Sequence, residues 1–518
     1  MKTQVLIIGG GITGTGLARD LALRGVRCVL VEARDINAGA SGGNHGLLHS
    51  GARYAVTDPV AAGSCCKEGE LLKRLAPHCI ETTGGYFVAV AGDDEDYIDD
   101  FERSCRQIGI ISEPLDVKEA LEIEPSLSPD IIAAYRVNDA TIDPFRLSLD
   151  NIAHARELGT TLLRFHRVVG FDRQAGRIQK TCLTDTRNGG NTTVDAQIVV
   201  NATGAWAARV AALADVTINT ICSKGSLLVT HTRITDGVIN RLRRPGDADI
   251  LVPGGTVSIL GTTAERVDNP DVIFPEIHEI DHIINECSVM VPALVSTRCI
   301  RAFCGVRPLI DSGGGDDDRS ASRGFMLLDH LEAGVDNFIT ITGGKLTTYR
   351  LMAEKTADLV CRRLGVGIPC TTHMVPLPNA EDVRWTEPGL SPRTWIARQE
   401  PDDLLLCECE MVSRRIVDDI VTSIRRQKGE PDLSAIGLRS RVGKGQCQGT
   451  ICSQQLTAYL YRQHQIAARE GSDQLRRFLQ ERWRGQYPLL WDIPLVQAEL
   501  QEAIYCGLFG LELDQEGT

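Results

Sequence analysis

The chain contains 518 residues, more than one hydrophobic core usually organises, so we expect about three domains. Its composition is that of an ordinary globular protein, with 43% hydrophobic and 24% charged residues. The net charge of −13 argues against a large nucleic-acid surface, because binding phosphates requires clustered lysine and arginine. We find neither a long apolar run nor a signal peptide, and therefore expect a cytoplasmic protein with no membrane span of its own.

Residues 1 to about 370 alternate short apolar runs with helical patterns, which is typical of a doubly wound α/β fold. Some of these runs predict buried parallel strands, because each is apolar and ends at a turn containing glycine or asparagine: residues 4–8, 27–32, 197–201 and 338–342. Residues 86–91 and 258–263 predict strands of a second, more antiparallel sheet. The sequence therefore predicts two sheets of different character.

A glycine-rich turn follows the first predicted strand. Gly9, Gly10, Gly11 and Gly14 precede a helical pattern that extends to about residue 23. Such glycines allow a tight turn, close approach of a diphosphate and close packing of helix on strand, and the helix N-terminus favours the anion. Glu32 ends the second strand, where a carboxylate can accept hydrogen bonds from ribose hydroxyls. Together these features predict a dinucleotide site.

Three later segments favour FAD over NAD. The turn at 201–206 (NATGAW) ends a strand, and residues 342–346 (TGGKL) end another strand and begin a helix. The small residues at 40–46 form a loop suited to lie against a flavin ring. We expect cofactor contacts from Gly9, Gly10, Gly11, Thr13, Gly14, Glu32, Ala33, Ser41, Asn44, His45, Gly46, Leu48, Ala202, Gly204, Gly343, Gly344, Lys345, Leu346 and Thr347.

Residues 47–54, 305–309 and 343–350 resemble the flavin-dependent glycerol-3-phosphate dehydrogenases. The resemblance implies a glutathione-reductase-like FAD domain with a mixed α+β substrate domain similar to that of D-amino-acid oxidase. It implies oxidation of sn-glycerol 3-phosphate to dihydroxyacetone phosphate, with hydride passing to flavin N5 and electrons continuing to a membrane quinone. The cysteine-containing C-terminal extension is similar to that of the A subunits of the anaerobic members, which consist of three subunits.

The resemblance also implies a phosphate pocket. Arg53, Arg307 and Arg323 fall at the family's phosphate-binding positions, and the planar fork of arginine suits bidentate bonds to phosphate. A lone arginine is more often a solvated surface charge. Arg307 is the hardest to explain in that way, because it lies within the apolar run 303–310.

His49 is the candidate general base, because an imidazole can accept the hydroxyl proton as hydride departs. His45 is a neighbour suited to contact the flavin, and a buried structural role is the alternative for either histidine. Lys345 is a candidate to stabilise the anionic reduced flavin or to bind substrate. Single-subunit relatives often have a pocket histidine after Lys-Gly-Ser, but here residues 223–226 (SKGS) are followed by Leu227, which puts more weight on His49 and Lys345.

The chain contains 17 cysteines, and four after residue 400 are spaced as metal ligands: Cys407, Cys409, Cys447 and Cys452. Two close pairs can converge on zinc or on an iron–sulfur cluster. The spacing resembles the bacterioferritin-associated-ferredoxin-like [2Fe-2S] domain, although that family more often has C-x2-C in the second pair. Structural zinc uses C-x2-C more often than C-x-C, so we predict a [2Fe-2S] cluster, with another metal or no metal as alternatives.

These observations predict four regions: an FAD-dependent oxidoreductase (1–375), a proline-rich linker (376–402), a small helical cluster domain (403–457) and a helical tail (458–518). The resemblance implies a flavoprotein B subunit, with FMN as its candidate cofactor, and an iron–sulfur C subunit that anchors the complex to the inner face of the membrane. The tail around 489–511 is amphipathic. Packing on the chain's own core is favoured over docking of a partner.

Two other functions are consistent with the same motifs. An enzyme of this architecture could oxidise a 2-hydroxy acid or an amine, but the carboxylate of such a substrate needs one or two cationic groups rather than three arginines. A non-catalytic subunit could instead use flavin and cluster as an electron relay. Two experiments would separate these functions. One is reduction of the flavin by glycerol 3-phosphate, and the other is loss of that reduction in an Arg307→Ala variant that still binds flavin.

Overall fold

The structure is a computed structural model that describes residues 1–310, 324–378, 395–426 and 429–511. In chain order its strands are β1 (Lys2–Ile8), β2 (Cys28–Val31), β3 (Leu47–Leu48), β4 (Ile80–Glu81), β5 (Gly85–Val90), β6 (Ser112–Leu115), β7 (Ile131–Val137), β8 (Ala140–Ile142), β9 (Thr161–Leu163), β10 (His166–Gln174), β11 (Arg177–Asp185), β12 (Asn191–Asn201), β13 (Thr220–Thr230), β14 (Val238–Arg241), β15 (Ile250–Gly254), β16 (Val257–Gly261), β17 (Glu265–Arg266), β18 (Cys299–Ile310), β19 (Phe325–Asp329), β20 (Phe338–Gly343), β21 (Leu405–Cys407) and β22 (Val412–Ser413). Its longer α-helices are α1 (Ile12–Leu23), α2 (Pro59–Leu75), α3 (Glu95–Ile108), α4 (Val117–Ile123), α5 (Pro144–Glu157), α6 (Ala207–Ala212), α7 (Ile277–Met290), α8 (Tyr349–Leu364), α9 (Arg414–Arg426), α10 (Leu433–Arg439), α11 (Cys452–Arg462), α12 (Ala468–Gln486) and α13 (Asp492–Phe509).

The first sheet is largely parallel, with β1 at its centre. Its parallel strands run in the order β9-β2-β1-β12-β20, and Val5 lies opposite both Cys28 and Ile198. Strands β19, β10 and β11 extend it in antiparallel pairs. Apolar side chains of α1, α5 and α8 cover one face, while α6 and the β10–β11 hairpin cover the other. Burial on both faces explains why these strands are continuous apolar runs, and the four predicted parallel strands are confirmed.

The second sheet runs β17-β13-β16-β15-β14-β5-β7-β6, with β18 on the free side of β13. Its pairs are antiparallel except for β14 with β5. The predicted strands at 86–91 and 258–263 are confirmed as β5 and β16. Helix α7 packs its buried residues on one face of this sheet. Strand β18 reaches across to the first sheet and places Arg307 opposite Ser223.

The C-terminal region, which we define as residues 405–511 in the described part of the chain, has its own hydrophobic core. That core joins Cys407 and Cys452 with Leu475, Phe478 and Leu511. Residues on both sides of position 457 therefore share one core, and the division into cluster domain and tail stays a prediction from the sequence.

This region is tied to the rest of the chain by ion pairs. Asp35 accepts from both Arg164 and Arg439, and Arg301 donates to Glu481 at 2.8 Å. Because these pairs join residues far apart in sequence, they fix the C-terminal region against both sheets.

The predicted linker 376–402 lies partly outside the described residues. Its beginning is held on the first domain, because Arg19 donates to the carbonyl oxygens of Val375 and Pro376 at 2.6 and 3.2 Å. Leu377 is buried, and its N–H donates to the carbonyl of Leu75. This start is a wrapped connection rather than a free tether.

Helix α13 packs on the chain's own core along one side only. Cys506 packs on the C-terminal core, as expected from the sequence, while none of the residues of the helix is fully buried. Leu511, just after its end, is buried in the C-terminal core. Among the described helices, none has the length and apolar character needed to cross a bilayer.

Candidate active site

A cleft of about 520 Å³ opens between the two sheets. Most residues expected at the cofactor and substrate sites line it: Gly9, Gly11, Thr13, Glu32, Ala33, Ser41, Asn44, His45, His49, Arg53, Ala202, Gly204, Arg307, Gly343, Gly344, Lys345, Leu346 and Thr347. They come from segments more than three hundred residues apart. Their convergence follows from the parallel sheet, because the carboxyl ends of β1, β12 and β20 meet at one edge.

The glycine turn after β1 forms the floor of the cleft. Gly9 has φ +113°, and a Cβ there would lie 2.5 Å from the carbonyl oxygen of Ala202. A Cβ on Gly14 would overlap the carbonyl oxygen of Gly9, so this glycine permits close contact between helix and strand. Gly11 precedes α1 and has no side chain to cap it. The helix N-terminus therefore faces the cleft without a charged or bulky cap, as a diphosphate site requires.

Glu32 stands at the end of β2 beside this turn. Its carboxylate accepts the N–H groups of Gly10 at 2.7 Å and of Arg34 at 2.8 Å. Burial raises the pKa of Glu32, although these two N–H donors act in the opposite direction. The carboxylate is thus fixed at the cleft wall with lone pairs left for hydroxyl donors, which fits the ribose role predicted for it.

The loop at 40–46 is held by its own polar side chains. Ser41 Oγ accepts the Ile12 N–H at 3.0 Å, and Asn44 donates to the carbonyls of Ala40 and Ser41. Across the cleft this loop touches β18 at Gly305, where a Cβ would overlap the carbonyl oxygen of Gly43. The two sheets therefore meet through backbone alone at this point.

His49, Tyr54 and Lys345 form a polar cluster in the cleft. The Lys345 Nζ lies 4.1 Å from the centre of the Tyr54 ring, and the rings of Tyr54 and His49 are 5.5 Å apart. His45 lies 6.2 Å from His49 by ring centroids. The backbone N–H of His49 donates to Thr347 Oγ1 at 3.3 Å, which links the segment after β3 to the one after β20. The geometry brings a candidate base and a candidate cation to one place.

Arg53 is buried in the cleft wall, and in the described part of the chain only one of its two terminal guanidinium nitrogens is hydrogen-bonded. Its Nη2 donates to Asp249 at 3.1 Å and to the carbonyl of Gly246 at 3.0 Å. Its Nη1 is buried and has no hydrogen-bond partner among the described residues. A buried donor without a partner costs about 1–3 kcal/mol, so this position is suited to an anionic ligand.

Arg307 lies in β18 and also lines the cleft. It donates to the carbonyl oxygen of Thr263 at 3.1 Å and to the hydroxyl of Thr262. These bonds hold the guanidinium against Gly225, where a Cβ would collide with it. The third predicted arginine, Arg323, lies outside the described residues.

Gly10, Gly14, Gly46 and Leu48 are not among the residues that line the cleft in the described part of the chain. The glycines act by allowing close backbone approach. Leu48 packs in the core beside α1 and α8, while its neighbour Leu47 faces the cleft. In a strand, successive side chains point to opposite faces, so only one of the two can face a ligand.

Several site residues were not identified from the sequence. Asp249, which directly precedes β15, orients Arg53, and no motif marks it. Arg34 lies 5.3 Å above the Trp206 ring at the cleft wall. Tyr54 lies within the resembling segment 47–54 and directly after Arg53, which could have drawn attention to it.

The four predicted cysteine ligands also converge. Cys409 Sγ lies 3.8 Å from that of Cys407 and 3.7 Å from that of Cys447, and Cys452 interacts with both Cys407 and Cys447. The four thiols thus form a ring of neighbours. Tetrahedral zinc with Zn–S bonds of 2.3 Å would place all six pairs of sulfurs about 3.8 Å apart.

Thiol sulfur is a ligand of zinc and of iron–sulfur clusters alike. In the described part of the chain, a further group of three potential ligands has all its atoms within 4.8 Å of each other: His78, Cys79 and Asp150. In the other group, His78 Nε2 bonds directly to Asp150 at 2.6 Å, which accounts for its proximity without a metal.

A nucleotide cradle on a parallel sheet, facing cationic side chains from a second sheet, defines a dinucleotide-dependent oxidoreductase. The family model described as FAD dependent oxidoreductase matches residues 4–359. The A subunit of the anaerobic glycerol-3-phosphate dehydrogenase of Escherichia coli (strain K12) is 41% identical, covering 99% of this chain and 98% of that protein. The chain therefore belongs to the FAD-dependent oxidoreductases, in the family of anaerobic glycerol-3-phosphate dehydrogenase A subunits.

Two further comparisons cover different shares of the chain. The glycerol-3-phosphate dehydrogenase of Synechocystis sp. is 29% identical and covers 73% of this chain and 73% of that protein. The crystal structure of the glycerol-3-phosphate dehydrogenase from Bacillus halodurans, complexed with FAD, has a TM-score of 0.66 at 20% identity. It covers 95% of this chain and 96% of that one. This last likeness supports the fold class predicted from the sequence.

Proposed function

We propose that the chain oxidises sn-glycerol 3-phosphate to dihydroxyacetone phosphate in the cleft between its two sheets. The observation that carries the proposal is the buried Arg53 Nη1, which has no partner among the described residues, in a wall that also contains Arg307. Together with Lys345 in the same cleft, these two guanidinium groups make three cationic side chains, which favour a dianionic phosphate over a single carboxylate. The Escherichia coli and Synechocystis relatives are both named for this substrate.

The residues of the cleft have distinct roles in this proposal. Arg53 and Arg307 bind the phosphate and orient the C2 carbon, and Arg323 is proposed as a third phosphate ligand. His49 accepts the C2 hydroxyl proton as the C2 hydride leaves, so that the carbinol carbon becomes the ketone. Lys345 stabilises the negative charge that develops in the cleft. FAD, when bound, supplies the acceptor for that hydride.

We further propose that Cys407, Cys409, Cys447 and Cys452 hold a [2Fe-2S] cluster that receives electrons one at a time. A line of contacts supports the route. Phe145 lies against Gly42 of the cofactor loop, and the Lys444 Nζ lies 4.7 Å from the centre of the Phe145 ring. Gly445, next in the chain, packs on Cys409 Sγ.

Electrons then leave the protein through partner subunits. We propose a flavoprotein B subunit, with FMN as its candidate cofactor, and an iron–sulfur C subunit that anchors the complex and passes electrons to a membrane quinone. The chain would lie at the inner face of the membrane through these partners. The 41% identical Escherichia coli relative is itself one component of a larger enzyme, which supports an assembly of several different chains.

Anaerobic flavin bleaching tests the substrate. Purified protein should be yellow-brown, and glycerol 3-phosphate should bleach its flavin absorbance, whereas 2-hydroxyglutarate and glycine should not. Bleaching by either of the latter would assign the cleft to a carboxylate substrate. A protein that binds flavin but is bleached by none of the three would be an electron relay, and a colourless protein would contradict both flavin-based functions.

A further inference from the structure

Helix α13 carries a continuous apolar stripe that faces outward. Ile493, Val496, Leu500, Ile504 and Leu508 recur at intervals of three or four residues, which places them on one side of the helix. Each is between 47% and 73% exposed. The stripe follows a helix about 27 Å long at 1.5 Å per residue. A solvated row of this length marks an interaction site rather than scattered surface residues.

The opposite side of α13 faces the protein. Leu495, Ala498, Tyr505 and Cys506 are half-buried, and Cys506 packs on the C-terminal core. Leu511 closes the attachment, since it is buried in the same core as Cys407 and Cys452. The helix is therefore fixed beside the four-cysteine unit, with its apolar stripe turned away from it.

The charge around the stripe selects among possible occupants. The described residues 486–511 contain three acidic residues and no lysine or arginine: Asp492, Glu499 and Glu502. An anionic membrane surface would repel this segment, because interfacial helices that bind such lipids carry basic residues on their polar side. A second copy of the helix would bring like charges together.

We propose that α13 is the docking helix for a different protein, which receives it in an apolar groove bordered by lysine or arginine. Amphipathic helices bind such grooves through anchors at i, i+3 or i+4, and i+7, as the stripe presents them. The partner then lies next to the four cysteines. This inference assigns a surface to the partner subunit proposed above, and its role in electron exit rests on that proposed function.

Two of the relatives differ in the share of the chain that they cover. The Escherichia coli relative, which is one component of a larger enzyme, covers 99% of the chain, whereas the Synechocystis relative, named without reference to subunits, covers 73%. The part of the chain that the latter leaves uncovered is thus long enough to contain the C-terminal region with α13.

Photo-crosslinking in the source cells tests the proposal. A benzoylphenylalanine placed at Val496 or at Leu500 should form one defined adduct with another polypeptide. Peptide mapping should locate the adduct in an apolar groove with neighbouring lysine or arginine. The matched control is Val169 on β10, which is 49% exposed and far from α13 in sequence, and it should give no such adduct. An adduct between two copies of the chain, or no protein adduct at all, would overturn the proposal.

A second experiment separates docking from catalysis. The purified Leu500→Glu/Ile504→Glu variant should bleach with glycerol 3-phosphate at the wild-type rate but lose the adduct at Val496. If the chain with its natural Leu500 and Ile504 bleaches but gives no adduct at Val496, the docking surface alone is refuted. If that chain gives the adduct but does not bleach, the proposed substrate alone is refuted. Co-sedimentation of the purified wild-type chain with phosphatidylglycerol vesicles, lost in the double variant, would assign the stripe to a membrane and so contradict a protein groove.

Discussion

Arg53→Met removes the buried donor that we assign to the substrate phosphate while retaining most of the side-chain volume. Asp249 keeps its bonds to Arg243 at 2.8 Å and to the Gly246 N–H at 2.6 Å, so the variant does not leave a bare buried carboxylate. A hydrogen bond to a charged group contributes about 1.5–3 kcal/mol. At about 1.4 kcal/mol per factor of ten, KM for glycerol 3-phosphate should rise roughly 10- to 100-fold.

Steady-state oxidation with an artificial acceptor measures this change, and flavin absorbance confirms that the cofactor is retained. Arg241→Met is the matched control, because Arg241 is also buried and paired with an aspartate, Asp93, but does not line the cleft. That control should lower thermal stability and leave KM within twofold. If Arg53→Met also leaves KM within twofold, Arg53 does not bind the phosphate.

Three further predictions concern the nucleotide turn, the cysteines and the half-buried Lys444. Gly14→Ala should lose FAD and destabilise the fold by about 1–3 kcal/mol through overpacking. Gly367→Ala should do neither, because Gly367 has open space around it. Equal ratios of flavin to protein absorbance in the two variants would contradict this prediction. Cys452→Ser should abolish the electron paramagnetic resonance signal of the dithionite-reduced cluster, while Cys506→Ser retains it; a signal that survives the first change would exclude Cys452 as a ligand. Burial lowers the pKa of Lys444 to about 8. Between about pH 8 and 10.4, the unfolded chain therefore binds a proton that the folded chain lacks. The free energy of unfolding, measured by denaturant titration, should rise with pH across this range in the wild type but not in Lys444→Met. An equal rise with pH in both proteins would refute this role of Lys444.

The nucleotide half of the cleft could be predicted from the sequence because its signals are local. A strand, a glycine turn and an acid at the next strand end lie within residues 1–32, and each requirement is a backbone property. The same holds for the four cysteines after residue 400, whose pairs are close in sequence and whose thiols lie together in the structure.

The substrate half depends on pairings that no local pattern encodes. Asp249 orients Arg53 across 196 residues, and Gly305 meets Gly43 at a crossing of backbones. The spacing along α13 does not distinguish its half-buried side from its exposed side, because an apolar stripe has the same spacing whether a core or a partner covers it. Sequence periodicity reports that a face is apolar and leaves open what covers it.

The walls of the cleft come from both ends of the catalytic region, from Gly9 to Met352. During synthesis, the glycine turn after β1, where we expect the diphosphate, leaves the ribosome long before β18 and β20 supply the opposite wall. A nascent chain of the first two hundred residues therefore contains the glycine-rich dinucleotide motif but lacks the opposite wall of the cleft. Cofactor capture is tied to completion of the whole catalytic region, and truncated chains should emerge as apoprotein.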